Sequence, residues 1–372
     1  MRKFIWYSPS GFASIVFVLY LIPLLFCYVQ NTDLMARYVG GIKLELVTLA
    51  AVVFFNLLLL LLVFLVNGYV VARPVIPWRE RKSVCLVFGV LYLFVGFYAV
   101  YQLVVNLDLL QLFYFGWDDH FVKSIGALIP EQGLLRYFFL LQFLILGYFL
   151  IIDHVNSRLL LFVLGVFVVA GLAVTTRREP LVVFFLALML RFRDRDWVFY
   201  VLGAAIFSSI LALVYLRFDD FFNDFLTSEE FYPFQFSAYL IQESYFKPSV
   251  LLSTPMRYFI DVNPGISWQI RYDLFAHDGP GPTVSMAGVF YAYGFLIPAF
   301  MLGIVVVVIS NFYKLYGSRR SGVLSCIYAF LLMKLLNIMR SGELPIIMID
   351  MFIFLMMAFL VSFISRRVSS GN

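Results

Sequence analysis

The chain has 372 residues, 63% hydrophobic and 13% charged, with a formal net charge of +5 and a mean hydropathy of +0.94. A soluble domain is about half apolar and about a quarter charged, so these values exclude a soluble enzyme and a disordered chain. The basic balance does not point to nucleic acid, because in a membrane protein it reflects cytoplasmic loops held against anionic lipid.

A spanning helix needs about 20 mostly apolar residues. In chain order the apolar stretches are 11–29, 45–72, 83–105, 134–152, 158–175, 180–191, 197–216, 284–312, 322–339 and 345–365. They are continuous rather than alternating, which argues for helices and against a β-barrel. The predicted architecture is all-α: a polytopic helical bundle of about ten transmembrane helices, forming one integral membrane domain over residues 1–372. Met1-Arg2-Lys3 precedes the first stretch and no small-residue cleavage site follows it, so that stretch reads as a retained signal anchor. The three cysteines, Cys27, Cys85 and Cys326, lie far apart within apolar stretches and suggest no disulfide framework.

Orientation follows from the basic residues of the short loops. With the N-terminus inside, the inner segments are 1–10, 73–82, 153–157, 192–196, 313–321 and 366–372; with their edges they hold 15 of the 27 Lys and Arg residues. The outer segments are 30–44, 106–133 and 217–283, the last rich in Phe, Tyr, Asp and Pro, with apolar patches such as Phe231–Phe236. A loop of that length in a tight protein is usually functional, and a substrate-handling role is favoured over a plain surface cap.

Charge on the outer face runs against this bias and marks candidate sites. Thr175-Thr176-Arg177-Arg178-Glu179-Pro180 joins two stretches with almost no loop. Ala276-His277-Asp278-Gly279-Pro280 lies just before the stretch at 284, where Thr283 or Ser285 is placed to cap a helix. Arg340-Ser341-Gly342-Glu343-Leu344-Pro345 forms a third outer turn, in which Arg340 and Glu343 stand three residues apart, a spacing that pairs side chains on one helical face. Arg217, Arg257 and Arg271 add charge on the long loop. The helices starting near 180, 284 and 345 all begin on the outer face. Helix N-termini favour anions, and arginines contact phosphate in bidentate fashion. The implied ligand is a phosphate or pyrophosphate, provided that the three turns meet in space. Each turn also has a structural alternative, as an interfacial anchor, a polar loop or an ion pair.

Metal and nucleotide chemistry lack support. His120, His154 and His277 are isolated, and no HExxH, Walker A or Rossmann pattern occurs. Asp194-Arg195-Asp196 sits in a basic turn, where charge balance is the better reading. Asp118-Asp119-His120 is a weaker outer cluster. Lys334 and Asp350 fall within the last two stretches and are placed to form a buried pair.

Pro282–Gly303, with its Pro, aromatic run and two glycines, resembles the late signature of Wzy-type O-antigen polymerases. Thr176–Leu181 is similar to the mid-chain Arg turn of that family, and Arg340–Glu343 to its late Arg-Gly-acid turn. The acid usual in the family's aromatic run is absent, Ala287-Gly288 standing there. His277 is reminiscent of the histidine of O-antigen ligases. The resemblance implies metal-independent glycosyl transfer at the periplasmic face of a bacterial inner membrane, with 217–283 as a large periplasmic loop. Donor and acceptor would be undecaprenyl-pyrophosphate-linked repeats, with membrane lipid and a polysaccharide chain-length regulator as further partners and no cofactor. In this reading Arg177, Arg178, Arg217 and Arg340 contact pyrophosphate, Arg257 and Arg271 are second choices, Glu343 belongs to the same substrate site, and His277 or Glu179 is the base. A lipid-linked oligosaccharide flippase and an O-antigen ligase are the alternatives.

Overall fold

The computed structural model describes residues 7–31, 43–69, 74–106, 133–174, 178–194, 232–247, 274 and 284–370. Regular structure among them is helical: α1 (Pro9–Val29), α2 (Leu46–Tyr69), α3 (Lys82–Asn106), α4 (Gly133–Ile152), α5 (Arg158–Val174), α6 (Arg178–Arg191), α7 (Tyr232–Gln242), α8 (Met286–Tyr293), α9 (Leu296–Ser318), α10 (Gly322–Ser341) and α11 (Leu344–Ser370). Helix covers the expected apolar stretches except 197–216, which lies outside the described residues. Among the described residues six helices are long and apolar enough to cross a membrane: α1, α2, α3, α9, α10 and α11. Shorter apolar segments occupy Leu140–Ile152 and Arg158–Ala173.

The helices sort by what surrounds them. In α2 the buried residues Leu49, Val52, Asn56, Leu59 and Val63 recur at helical spacing, while Leu57, Leu61 and Phe64 are exposed on the other side. That is the pattern of a peripheral helix with one face to protein and one to lipid. The Asn56 side chain donates to the Val52 carbonyl at 2.8 Å, satisfying its amide within the helix. By contrast, 94% of the most apolar window of α10 is buried, against 33% in α1 and α2. α10 is the central pillar, packed by α1, α4, α6, α8, α9 and α11.

α3 and α4 form the closest crossing. A Cβ at Gly147 would stand 2.9 Å from both the Gly89 carbonyl and the Leu93 amide, and one at Gly96 would stand 2.9 Å from the Leu144 amide. Small residues let the two backbones approach where apolar side chains alone give no advantage over lipid tails.

The segments expected on the inner side gather at one end of the bundle. Arg191 donates to Asp153 through Nε at 2.8 Å, and Asp153 also accepts from the Gly322 amide at the start of α10. Arg320 pairs with Asp194. The linker before α3 is bound across α9, α10 and α11: Asn311 accepts from the Val75 amide at 3.0 Å, Arg319 donates to the Trp78 carbonyl at 2.9 Å, and Ser362 accepts from the Arg79 amide at 2.9 Å. Arg193 lies over the rings of Tyr7 and Tyr316 at 4.9 and 4.7 Å. With Arg366 donating to the Pro77 carbonyl, all six predicted inner segments contribute to one polar end, the grouping that the basic loops give. Asp194 balances charge there.

Two expectations are corrected. Tyr232–Phe236, taken as part of an apolar loop patch, begins helix α7, and Phe234, Gln235, Phe236, Ser237 and Ala238 are buried. Pro233 suits its first turn, and Tyr20 of α1 stacks on Phe234 at 5.5 Å. At 11 residues α7 is too short to span; it is an internal helix at the end opposite the basic network. The stretch 284–312 is not one helix. It breaks into α8 and α9 at Gly294, whose φ of 80° and ψ of 150° suit glycine alone.

Candidate functional site at the end of α10

Of the residues singled out for phosphate contact or proton transfer, Arg177, Arg217, Arg257, Arg271 and His277 lie outside the described residues. Arg178 is the first residue of α6, Glu179 lies in its first turn, and Arg340 lies in the last turn of α10. Glu343 follows, in the link to α11.

The turn at 276–283 lies outside the described residues, but the described segments beside the other two turns pack on α10. Gly342 caps α10 in the left-handed conformation, φ 59°, and its amide donates to the Ile338 carbonyl at 3.0 Å. A Cβ on Gly342 would stand 2.7 Å from the Val284 carbonyl and would strike Val289, so the beginning of α8 rests directly on this turn. Two turns further down α10, Lys334 reaches the first turn of α6 and the second turn of α11. Its Nζ donates to Asp350 Oδ2 of α11 at 2.7 Å and lies 3.8 Å from Glu179 Oε2 of α6. The N-termini of α6, α8 and α11 thus gather around the C-terminal half of α10.

The cap of α10 settles another detail. Because the helix ends at Ser341 and Gly342 turns left-handed, Arg340 and Glu343 do not share a continuous helical face, contrary to the spacing argument. Ser285 occupies the N-cap position of α8, but its side chain makes no cap hydrogen bond. It meets the Ser237 hydroxyl of α7 at 2.7 Å instead, and the Ser285 amide donates to the Pro233 carbonyl at 3.1 Å. Thr283 lies outside the described residues.

Burial grades across the cluster. The Lys334 side chain is 6% exposed, Asp350 21% and Glu179 43%. Lysine at this depth is costly unless paired. Two carboxylates from two other helices supply the pairing, and the Phe330 ring, 5.2 Å from Nζ, supplies an aromatic face. Phe330 stacks on Phe354 at 3.9 Å, closing the inner side of the pair with rings. Lys334 is therefore a fixed internal cation, Asp350 its principal partner, and Glu179 the member open to the surroundings. Sequence spacing placed Lys334 beside Asp350 but gave no sign of Glu179, whose distance along the chain hides the contact.

The fold and this cluster define a multi-pass helical membrane protein with an intramembrane charge group near one end. No family model, no curated protein and no solved structure matches the chain.

Proposed function

We propose that the chain is a glycosyltransferase of the O-antigen polymerase type, acting on undecaprenyl-pyrophosphate-linked oligosaccharides at the periplasmic face of a bacterial inner membrane. The observation that carries this reading is the gathering of the α6, α8 and α11 N-termini around the end of α10, with Arg178, Glu179, Arg340 and Glu343 on the converging segments. Three helix beginnings, with Arg178 on one of them and Arg340 at the end of α10, suit a pyrophosphate.

In the proposed reaction an acceptor sugar hydroxyl attacks the anomeric carbon of the donor. The new C–O bond forms as the bond from that carbon to the pyrophosphate oxygen breaks. Undecaprenyl pyrophosphate leaves with the electron pair, and arginine side chains stabilise its developing charge. The hydroxyl proton passes to a base. His277 is the first choice, since a histidine accepts a proton near neutral pH. Glu179 is the alternative, half exposed and held by Lys334.

The test supplies purified protein with a synthetic lipid-linked repeat unit, with EDTA and without nucleotide. The expected product is a ladder of lipid-linked oligomers. Loss of one charge-stabilising donor typically costs about 10²–10³ in rate, and that is the effect expected of Arg340→Ala in a folded variant. A verified substrate that yields no ladder with folded protein would overturn the proposal. One observation favours a second reading, a lipid-linked oligosaccharide flippase: the Lys334–Asp350 pair lies inside membrane-spanning helices, as in transport pathways. Movement of the same lipid across proteoliposomes without elongation would select it.

A further inference from the structure

At the end opposite the α10 cluster, the linker before α3 and the end of α11 border an open surface cavity of about 410 Å³, lined by Pro77, Arg79, Arg366 and Arg367. Its charge is one-sided. The neighbouring Glu80 is turned away, its Oε1 accepting from Trp78 Nε1 at 2.7 Å and from the Ser321 hydroxyl at 2.5 Å. Arg366 is anchored by donation from Nη2 to the Pro77 carbonyl, while its buried Nε has no hydrogen-bond partner among the described residues. The Arg79 guanidinium is exposed and bonds to none of the described residues. Arg367 lies over the Phe363 ring at 4.7 Å.

Below the cavity, α11 exposes Phe352, Met356, Leu360 and Phe363. Their spacing of four, four and three residues makes one apolar stripe along the helix, and it ends at the Arg367–Phe363 contact. The linker is fixed beside it by the Arg79 and Arg81 amides, which donate to Ser362 and Ser365 at 2.9 and 3.2 Å. An open cavity lined by three arginines at the head of an apolar stripe matches a molecule with an anionic head and apolar tails.

We infer that this cavity is a binding site for an anionic phospholipid, its phosphodiester held by Arg79, Arg366 and Arg367 and its acyl chains laid along the Phe352–Phe363 stripe. Arginine donors suit phosphate oxygens, and basic pockets at this level between helices are known binders of anionic headgroups. The apolar stripe is what selects a lipid over a free phosphate. The inference is independent of the proposed glycosyl transfer.

The test is lipid binding to the full chain in neutral detergent, by native mass spectrometry and by thermal unfolding. Phosphatidylglycerol, phosphatidylcholine and inorganic phosphate are the three additives. Phosphatidylglycerol is expected to bind and raise the unfolding temperature, while the other two do not. Arg79→Gln and Arg367→Gln change exposed side chains and leave the Pro77 anchor intact; each is expected to weaken phosphatidylglycerol about fivefold. Arg158→Gln, at the same end but away from the cavity, should leave binding unchanged. Equal affinity in the wild type and the Arg79→Gln/Arg367→Gln double variant overturns the inference. So does stabilisation by inorganic phosphate equal to that by the lipid, which would reassign the cavity to a free anion.

Discussion

Replacing Lys334 with methionine should destabilise the bundle by about 3–5 kcal/mol, the usual consequence of removing one member of a buried ion pair. At 2.7 Å and an effective dielectric of about 20, the gross attraction of Nζ to Asp350 is about 6 kcal/mol. The same arithmetic at 3.8 Å gives about 4 kcal/mol for Glu179. Glu179 is 43% exposed, however, so water and salt screen that contact to about 1 kcal/mol or less. Most of the loss therefore comes from Asp350, left in a largely buried position without its cation. The assay is equilibrium unfolding in mixed detergent micelles of the wild type, Lys334→Met, Asp350→Leu and the double variant. The double variant should recover more than half of the Lys334→Met loss, because the only carboxylate left without its cation is Glu179, which is 43% exposed and reaches water. A Lys334→Met loss below about 1 kcal/mol, or a double variant whose loss is the plain sum of the singles, would refute the assignment of Lys334 and Asp350 as a coupled internal pair.

Two glycines test the close approaches. Gly147→Val should force α3 and α4 apart and cost about 1–3 kcal/mol or more in the same unfolding assay, since its Cβ would meet the Gly89 carbonyl and Leu93 amide at 2.9 Å. Gly342→Val should cost at least as much, adding a left-handed φ of 59° to a 2.7 Å contact with the Val284 carbonyl, and should lower transfer activity by disturbing the α8–α10 contact. The native thiols give a quiet background for topology mapping, because Cys27, Cys85 and Cys326 are all buried and free. A cysteine at Ser318 should be shielded from an impermeant maleimide applied outside intact cells, and one at Ser244 should be labelled; the reverse pattern would invert the orientation.

The class of protein was legible in the sequence because hydropathy is a local property. In lipid every backbone polar group needs a partner within the protein, and a continuous apolar run meets that need as a helix, since a barrel strand would alternate. The grouping of the inner loops followed from the basic residues for a similar reason, each short loop carrying its own sign. What the sequence misjudged was where apolar content and helix part company. Tyr232–Gln242 is too short and too mixed to register as a span, yet it is buried because α1, α2 and α8 surround it. Gly294 lies in an unbroken apolar run, and only its backbone conformation shows the break.

The candidate site divides in the same way. Lys334 and Asp350 stand out in sequence because charge within an apolar span has no local explanation. Arg178, Glu179, Arg340 and Glu343 stand out because they crowd the ends of spans with almost no loop between them. Their proximity was not readable, since residues 179 and 334 are joined by no periodicity, only by the packing of α6 against α10. Composition thus determined that the chain is a helical membrane bundle and which turns carry unusual charge. Tertiary packing alone decided that Glu179 and Asp350, from two other helices, meet one buried lysine, because pairing a charge in a low-dielectric interior requires partners from whichever helices lie beside it.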